Sequence, residues 1–354
     1  MEAALPPPPL PQRVQILSES GLANLPSSYI QPPSLRPQPH SHSHSHVAPP
    51  GPSIPTIDLS SSDPAPQVRR ACAEWGAFHV INHGVPPSLL NEMRSVGVKF
   101  FESPMEQKTR FGCDLVVGPA AQGYGSRMLA RDDTVLDWRD YFDHHTLPLD
   151  RRDPTKWPDF IPNYREVVTQ YSNEMERLAK RLLSIISQSL NLPPSYIQDA
   201  VGDVYQNITV SFYPPCPRPD LALGLQAHSD MGAITLLIQD DVGGLEVLKD
   251  DQWVLVQPLE DAIVVILADM TEIMTNGAYK SSVHRALVNA NKARLSVATF
   301  HDPSMVRKIY PAPPLITAEN RAKYKEVLYA DFAKSWYYGQ GPDGERNIDA
   351  LLIQ

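Results

Sequence analysis

The sequence predicts a mainly β protein, a sandwich or barrel with flanking helices and an α/β region on its N-terminal side. Three observations predict it. After Pro194, short β-type runs recur, each broken by Gly, Asp or Pro. Between Asn163 and Leu190 one long stretch keeps helical periodicity. Proline, 36 residues in all, is concentrated before position 55, and the texture changes there. With 42% hydrophobic and 20% charged residues, the 354-residue chain has apolar content for a sizeable core.

In chain order, residues 1–52 read as a disordered Pro/Ser/His-rich extension. Its His40, His42, His44 and His46 invite a metal reading, but nothing in such a tract fixes a coordination geometry, and they are set aside as incidental. Residues 53–200 form the N-terminal α/β and helical region. PTIDLS reads as a strand, Pro64 to Trp75 as a helix, Ala77 to Asn82 as a strand, and Pro86 to Phe101 as an amphipathic helix. Val167, Tyr171, Met175, Leu178, Leu182, Ile185, Ile186 and Leu190 recur in steps of three and four, which marks one long helix with a buried stripe. Residues 201–310 hold the strands Ile208 to Tyr213, Ile234 to Gln239, Leu245 to Leu248, Trp253 to Val256, Ile263 to Leu267 and Arg294 to Phe300. A last helix, about Thr317 to Ser335, and a polar tail fill 311–354.

Composition also bounds function. A net charge of -9 without a basic patch argues against nucleic acid and anionic membrane surfaces as partners. Three cysteines at wide spacing, Cys72, Cys113 and Cys216, fit neither a disulfide framework nor a zinc pattern and suit a reducing compartment. The opening MEAALPPPPLPQ has no basic start or apolar run, so a cytoplasmic location is expected, with the nucleus open. No obligate protein partner is implied.

The residues that carry chemistry lie in the β-rich half. In LQAHSDMGAITLL, His228 and Asp230 are two apart, so on extended backbone they project to one side. Alone, such a pair is weak, since a solvated turn explains it as well. His284 in KSSVHRALVN is the third candidate, in a β-type segment that a closed jelly-roll can bring back beside the first. ARLSVATF then places Arg294 and Ser296 on one face of an interior strand. A guanidinium among Ala293, Leu295, Val297 and Ala298 is costly to bury without an anion. A dianionic ligand supplies one; a carboxylate from elsewhere in the fold is the structural alternative.

SFYPPCPRPDLALGLQAHSD, DDVGGLEVLKDDQWVLVQPL, NGAYKSSVHRALVN and ARLSVATFHDPS together resemble the plant 2-oxoglutarate- and iron(II)-dependent dioxygenases, and GAFHVINHGVP resembles that family's N-terminal region. RVQILSES, YGSR and LDWRDYF resemble the subgroup of leucoanthocyanidin dioxygenase and the jasmonate-induced oxygenases. The resemblance implies a double-stranded β-helix (jelly-roll, cupin-like) core. It also implies Fe(2+) on His228, Asp230 and His284, with 2-oxoglutarate held by Arg294 and Ser296 and hydrogen-bonded by Tyr213. O2 and a small-molecule substrate would be consumed with release of succinate and CO2, and ascorbate would support as reductant. Two imidazoles and one carboxylate leave an open face on the metal, as a non-haem Fe(II) oxygenase needs and a closed zinc site does not. Arg suits a distal carboxylate because its planar fork never deprotonates.

Candidates for the apolar pocket wall are Tyr124, Met128, Tyr141, Phe142, Phe212, Met231 and Phe300, each of which is an ordinary core residue on the bland reading. Tyr141 and Phe300 are the pair that the subgroup resemblance puts beside the substrate, and Asp302 joins the substrate-side set. Ser211 stands where many relatives carry Asn and is counted with the cofactor residues. Thr209 stands where the subgroup carries Lys or Arg, which weakens transfer of a free carboxylate substrate. Asp143, His144 and His145 are expected near the pocket mouth. The expectation is a dioxygenase that hydroxylates or desaturates a flavonoid or other phenolic metabolite. Alternatives are a hormone-oxidising enzyme of jasmonate or gibberellin type, an ascorbate-dependent oxidase, and a non-catalytic binding protein.

Overall fold

Burial of the central strands on both faces is the feature from which the architecture follows, with alternate side chains meeting a helical core or a facing sheet. The computed structural model describes residues 13–37, 52–113, 121–126, 135–338 and 346–353. Its strands are β1 (Thr56–Asp58), β2 (Ala77–Ile81), β3 (Gly123–Gly125), β4 (Asp140–Leu147), β5 (Tyr205–Tyr213), β6 (Leu225–His228), β7 (Ile234–Gln239), β8 (Leu245–Lys249), β9 (Gln252–Leu255), β10 (Ile263–Leu267), β11 (His284–Ala286), β12 (Arg294–Asp302), β13 (Lys308–Ile309) and β14 (Val327–Leu328). The helices are α1 (Val14–Glu19), α2 (Ala65–Glu74), α3 (Pro87–Glu102), α4 (Met105–Thr109), α5 (Tyr164–Ser189), α6 (Tyr196–Val201), α7 (Asp269–Met274) and α8 (Tyr329–Tyr338).

An eight-stranded sheet runs β1-β2-β10-β7-β12-β5-β4-β3, and a four-stranded sheet runs β6-β11-β8-β9. Only β1 and β2 pair in parallel; every other pairing in these two sheets is antiparallel. These are the two faces of the jelly-roll expected from the sequence. On the large sheet, Leu295 and Val297 of β12 and Ile208 and Val210 of β5 turn one way, into a core shared with α3 and α5. Their alternates turn the other way, toward the small sheet, and line a cavity. Packing on the helical side is close: a Cβ at Gly97 of α3 would lie 2.9 Å from Val210. The predicted stripe of α5 is buried, from Val167 through Ile186. Asn191, with φ 59, ends it just before Pro193.

Two expectations are corrected. Residues 13–37 are not a disordered extension. They form α1 and two 3-10 turns, Ser27–Tyr29 and Pro33–Leu35. Val14, Leu17, Leu25 and Tyr29 are buried against Trp138, Tyr213 and Cys216. The Asp140 carboxylate accepts from the N–H groups of Val14 (2.9 Å) and Gln15 (3.0 Å), filling donors that the first turn of a helix leaves open. Proline-rich composition masked a few well-spaced apolar anchors. His40, His42, His44 and His46 lie outside the described residues, as does Met128. The second correction concerns 317–335, where helix begins only at Tyr329. The Thr317 hydroxyl accepts from the N–H groups of Glu319 and Asn320, and the Asn320 amide donates to Leu315 O. Such side-chain bonds to backbone favour a turn over helix.

Candidate active site

β6 ends on His228 and β11 begins on His284, and the two are cross-strand partners with ring centroids 4.3 Å apart. Asp230 sits in the turn after β6. Its Oδ1 lies 3.5 Å from His228 Nε2 and 3.8 Å from His284 Nε2. All three donor atoms fall within 4.8 Å of one another, the one such group among the described residues. Neighbouring groups fix which atoms face the centre. His228 Nδ1 lies 2.8 Å from Gln226 O and His284 Nδ1 3.0 Å from Ser282 O, so both rings carry the proton on Nδ1 and present Nε2 lone pairs. The Thr235 hydroxyl donates to Asp230 Oδ2 at 2.6 Å and leaves Oδ1 for the metal. Burial pushes the Asp230 carboxyl up, but the two imidazoles and Thr235 outweigh it and hold it at about 2. The turn needs glycine after Met231, because a Cβ at Gly232 would overlap Asp302 Oδ1. This donor set fits a facial metal site with open positions.

The centre opens into a cavity of about 360 Å³ between the two sheets. Arg294, 3% exposed, occupies one end. Its guanidinium meets Gln239 Oε1 (3.1 Å), the Ser296 hydroxyl (3.5 Å) and the Tyr213 ring (4.8 Å to the centroid). Its Nε is buried without a hydrogen-bond partner. Among the described residues no carboxylate bonds it, so the ion-pair alternative is not what this arrangement shows. Arg294, Ser296, Tyr213 and Ser211 share the cavity face, because Arg294 pairs with Tyr213 and Ser296 with Ser211 across β12 and β5. They present a cation and hydroxyls to a carboxylate.

Of the expected pocket wall, Phe300, Met231 and Asp302 line the cavity. Tyr124, Phe142, Phe212 and Tyr141 do not. Phe142 and Phe212 fall on the helical face by strand parity, packing on Phe100 (4.9 Å) and Phe101 (4.8 Å) respectively. Tyr124 packs on Phe100 and Phe101 and lies under Arg13. Tyr141 has cavity parity, but its hydroxyl turns to within 3.8 Å of Cys113 Sγ while Arg139 covers its ring. Asp143, His144 and His145 are buried rather than at a mouth. His144 faces the core, bonded to Ile208 O and the Tyr164 hydroxyl. Asp143 does line the cavity, and its Oδ1 accepts from Thr209 at 2.7 Å. Burial pushes its carboxyl up to about 7, against Thr209, Arg151 and Arg139. Sequence reasoning gave no role to the cavity-lining Arg139, nor to Trp336, Arg346 and Asn347 at the C-terminal end. Only the LDWRDYF motif signalled the first.

The model of the 2OG-Fe(II) oxygenase superfamily matches residues 204–303, and that of the non-haem dioxygenase in morphine synthesis N-terminal region matches 54–163. Jasmonate-induced oxygenase 4 of Arabidopsis thaliana is 36% identical over 96% of this chain and 96% of its own. Leucoanthocyanidin dioxygenase of Perilla frutescens is 33% identical, over 91% and 92%. The crystal structure of JOX2 in complex with 2OG, Fe and JA superposes with a TM-score of 0.87 at 36% identity, covering 97% of this chain and 98% of that one. The chain belongs to the 2OG-Fe(II) oxygenase superfamily and is an oxidoreductase that uses Fe(II), 2-oxoglutarate and O2. When bound, iron with the cosubstrate supplies oxidation of an unactivated C–H bond. His228, Asp230 and His284 would hold the metal, and the Arg294 end of the cavity would orient the keto acid. Among the described residues no helix is long and apolar enough to cross a membrane.

Proposed function

We propose that His228, Asp230 and His284 hold the iron, that Arg294, Ser296, Tyr213 and Ser211 hold 2-oxoglutarate, and that the enzyme oxidises a small hydroxylated metabolite of phenolic or flavonoid type. The observation that carries the substrate class is the Thr209–Asp143 pair, a 2.7 Å hydrogen bond in the cavity wall. A buried carboxylate in the cavity wall, with His145 Nε2 3.8 Å from its second oxygen, favours a ligand that donates hydrogen bonds and disfavours one that brings its own carboxylate. Phe300 and Met231 add apolar surface beside it. Hydroxylation and desaturation both suit this geometry.

A second reading, oxidation of a jasmonate-type acid, is favoured by the likeness to JOX2 in complex with JA. A panel of hydroxylated phenolics, their O-methyl ethers and free carboxylic acids, scored by succinate formation and product mass, tests the choice. The expected result is succinate formation with free hydroxyls, a loss on O-methylation, and a kcat/KM lower by about tenfold or more in Asp143→Ala. Coupled turnover of a free carboxylic acid with indifference to Asp143 would support the second reading instead.

A further inference from the structure

The cavity holds a second buried guanidinium besides that of Arg294. Arg139 is 5% exposed and lines the cavity, and its Nε is buried without a hydrogen-bond partner. One terminal nitrogen donates to the Ser211 hydroxyl at 3.3 Å, and its carbon lies 5.4 Å from the Tyr141 ring centroid. The nearest carboxylate with which it pairs is that of Asp137, at 4.0 Å. Asp137 meets it through Oδ2, while Oδ1 accepts from Gln226 N (3.0 Å) and Nε2 (3.2 Å), so this carboxylate engages one terminal nitrogen and leaves Nε unpaired. A buried, half-satisfied guanidinium facing a cavity calls for an anion.

Register shows which anion. Arg294 pairs with Tyr213 across β12 and β5, and Asp140 pairs with Phe212 across β5 and β4. Arg139 immediately precedes β4, next to the Asp140–Phe212 pair, and so stands on the β4 side of β5 near Tyr213. Arg294 on β12 and Arg139 at the entry to β4 therefore approach Tyr213 from the two sides of β5. Both guanidinium groups act on the Tyr213 hydroxyl, which burial pushes up and they bring down. Two Arg–Ser pairs thus flank one tyrosine on the cavity wall. Ser211 offers a hydroxyl but no amide donor, and Arg139 brings N–H donors beside it.

We infer that Arg139, with Ser211, binds the carboxylate of 2-oxoglutarate adjacent to its keto group, while Arg294 with Ser296 binds the distal one. This rests on 2-oxoglutarate as the cosubstrate. The test is anaerobic calorimetric titration of the Fe(II)-loaded protein with 2-oxoglutarate and with 2-oxopentanoate, which keeps the keto-acid head and lacks the distal carboxylate. Arg139→Gln weakens both ligands by a similar factor, about tenfold or more. Arg294→Gln weakens 2-oxoglutarate alone. Loss confined to 2-oxoglutarate in Arg139→Gln would move Arg139 to the distal carboxylate and overturn the assignment. Unchanged affinity for both would make its anion the organic substrate and overturn it too. Arg139→Lys keeps one charge without the fork and gives the same comparison should Arg139→Gln not fold: a matched loss supports the assignment, and wild-type affinities refute it. A wild-type protein that bound neither keto acid would remove the cosubstrate itself, a failure distinct from these.

Discussion

At the scale of single residues, Asp143 has the clearest measurable signature. Its carboxyl is raised by burial to about 7, against about 3.8 when exposed. The folded state therefore holds a proton there that the unfolded chain has released, and this group's contribution to stability falls as pH rises from about 4 to about 7. Asp143→Asn keeps a neutral acceptor for Thr209 and removes that titration. Its melting temperature relative to wild type should rise between pH 5 and pH 8; a difference constant with pH would show that the carboxyl is not raised. Arg294 makes a second test. Its protein partners are Gln239 and Ser296, so Arg294→Lys should leave the cosubstrate-free melting temperature nearly unchanged and raise the KM for 2-oxoglutarate about tenfold or more. A destabilised apoprotein with unchanged KM would identify a structural ion pair instead. These residues also mark what could be read from sequence. His228 with Asp230, and Arg294 with Ser296, are legible because extended backbone puts positions two apart on one side. The Asp143–Thr209 and Arg139–Ser211 contacts join positions 66 and 72 apart, on strands whose pairing no local pattern announces.

Elements obeyed local signals where one face meets the core. α5 and the central strands fell where their apolar periods placed them, because burial enforces the period. Of the two failures, the stretch after Thr317 is turned by its own side-chain bonds, and α1 is held by a distant partner. α1 has six residues, too short to persist alone, and depends on Asp140 at the start of β4. Asp140 also accepts from the Ser126 hydroxyl at 2.6 Å. Asp140→Ala leaves those buried donors unmet and should cost about 3 kcal/mol by urea denaturation, with Fe(II) affinity retained. A cost within about 0.5 kcal/mol, typical of surface positions, would mean that residues 13–37 are not anchored through this carboxylate.

Across the whole molecule, the C-terminal segment closes the cavity through one buried acid. Glu272 on α7 accepts from Arg346 (2.7 Å), Lys280 (3.0 Å), the Tyr324 hydroxyl and Ser281 N (2.8 Å). Burial opposes the charge, but Arg346 and the other donors hold the carboxyl below its ordinary value. Glu272→Ala breaks this cluster and should cost about 3–5 kcal/mol, with faster proteolysis near residue 346; wild-type stability would show that the segment is held by packing alone. The same docking brings Trp336, Arg346 and Asn347 to the cavity where the sheets already place the residues proposed to hold the metal and cosubstrate. Everything proposed for the enzyme depends on the centre formed by β6, its following turn and β11. Anaerobic Fe(II) binding by wild type, His228→Ala, Asp230→Ala and His284→Ala tests it most directly. Wild type should take up one equivalent, and each variant should bind at least about a hundredfold more weakly. Wild-type affinity in any one of the three would contradict the site.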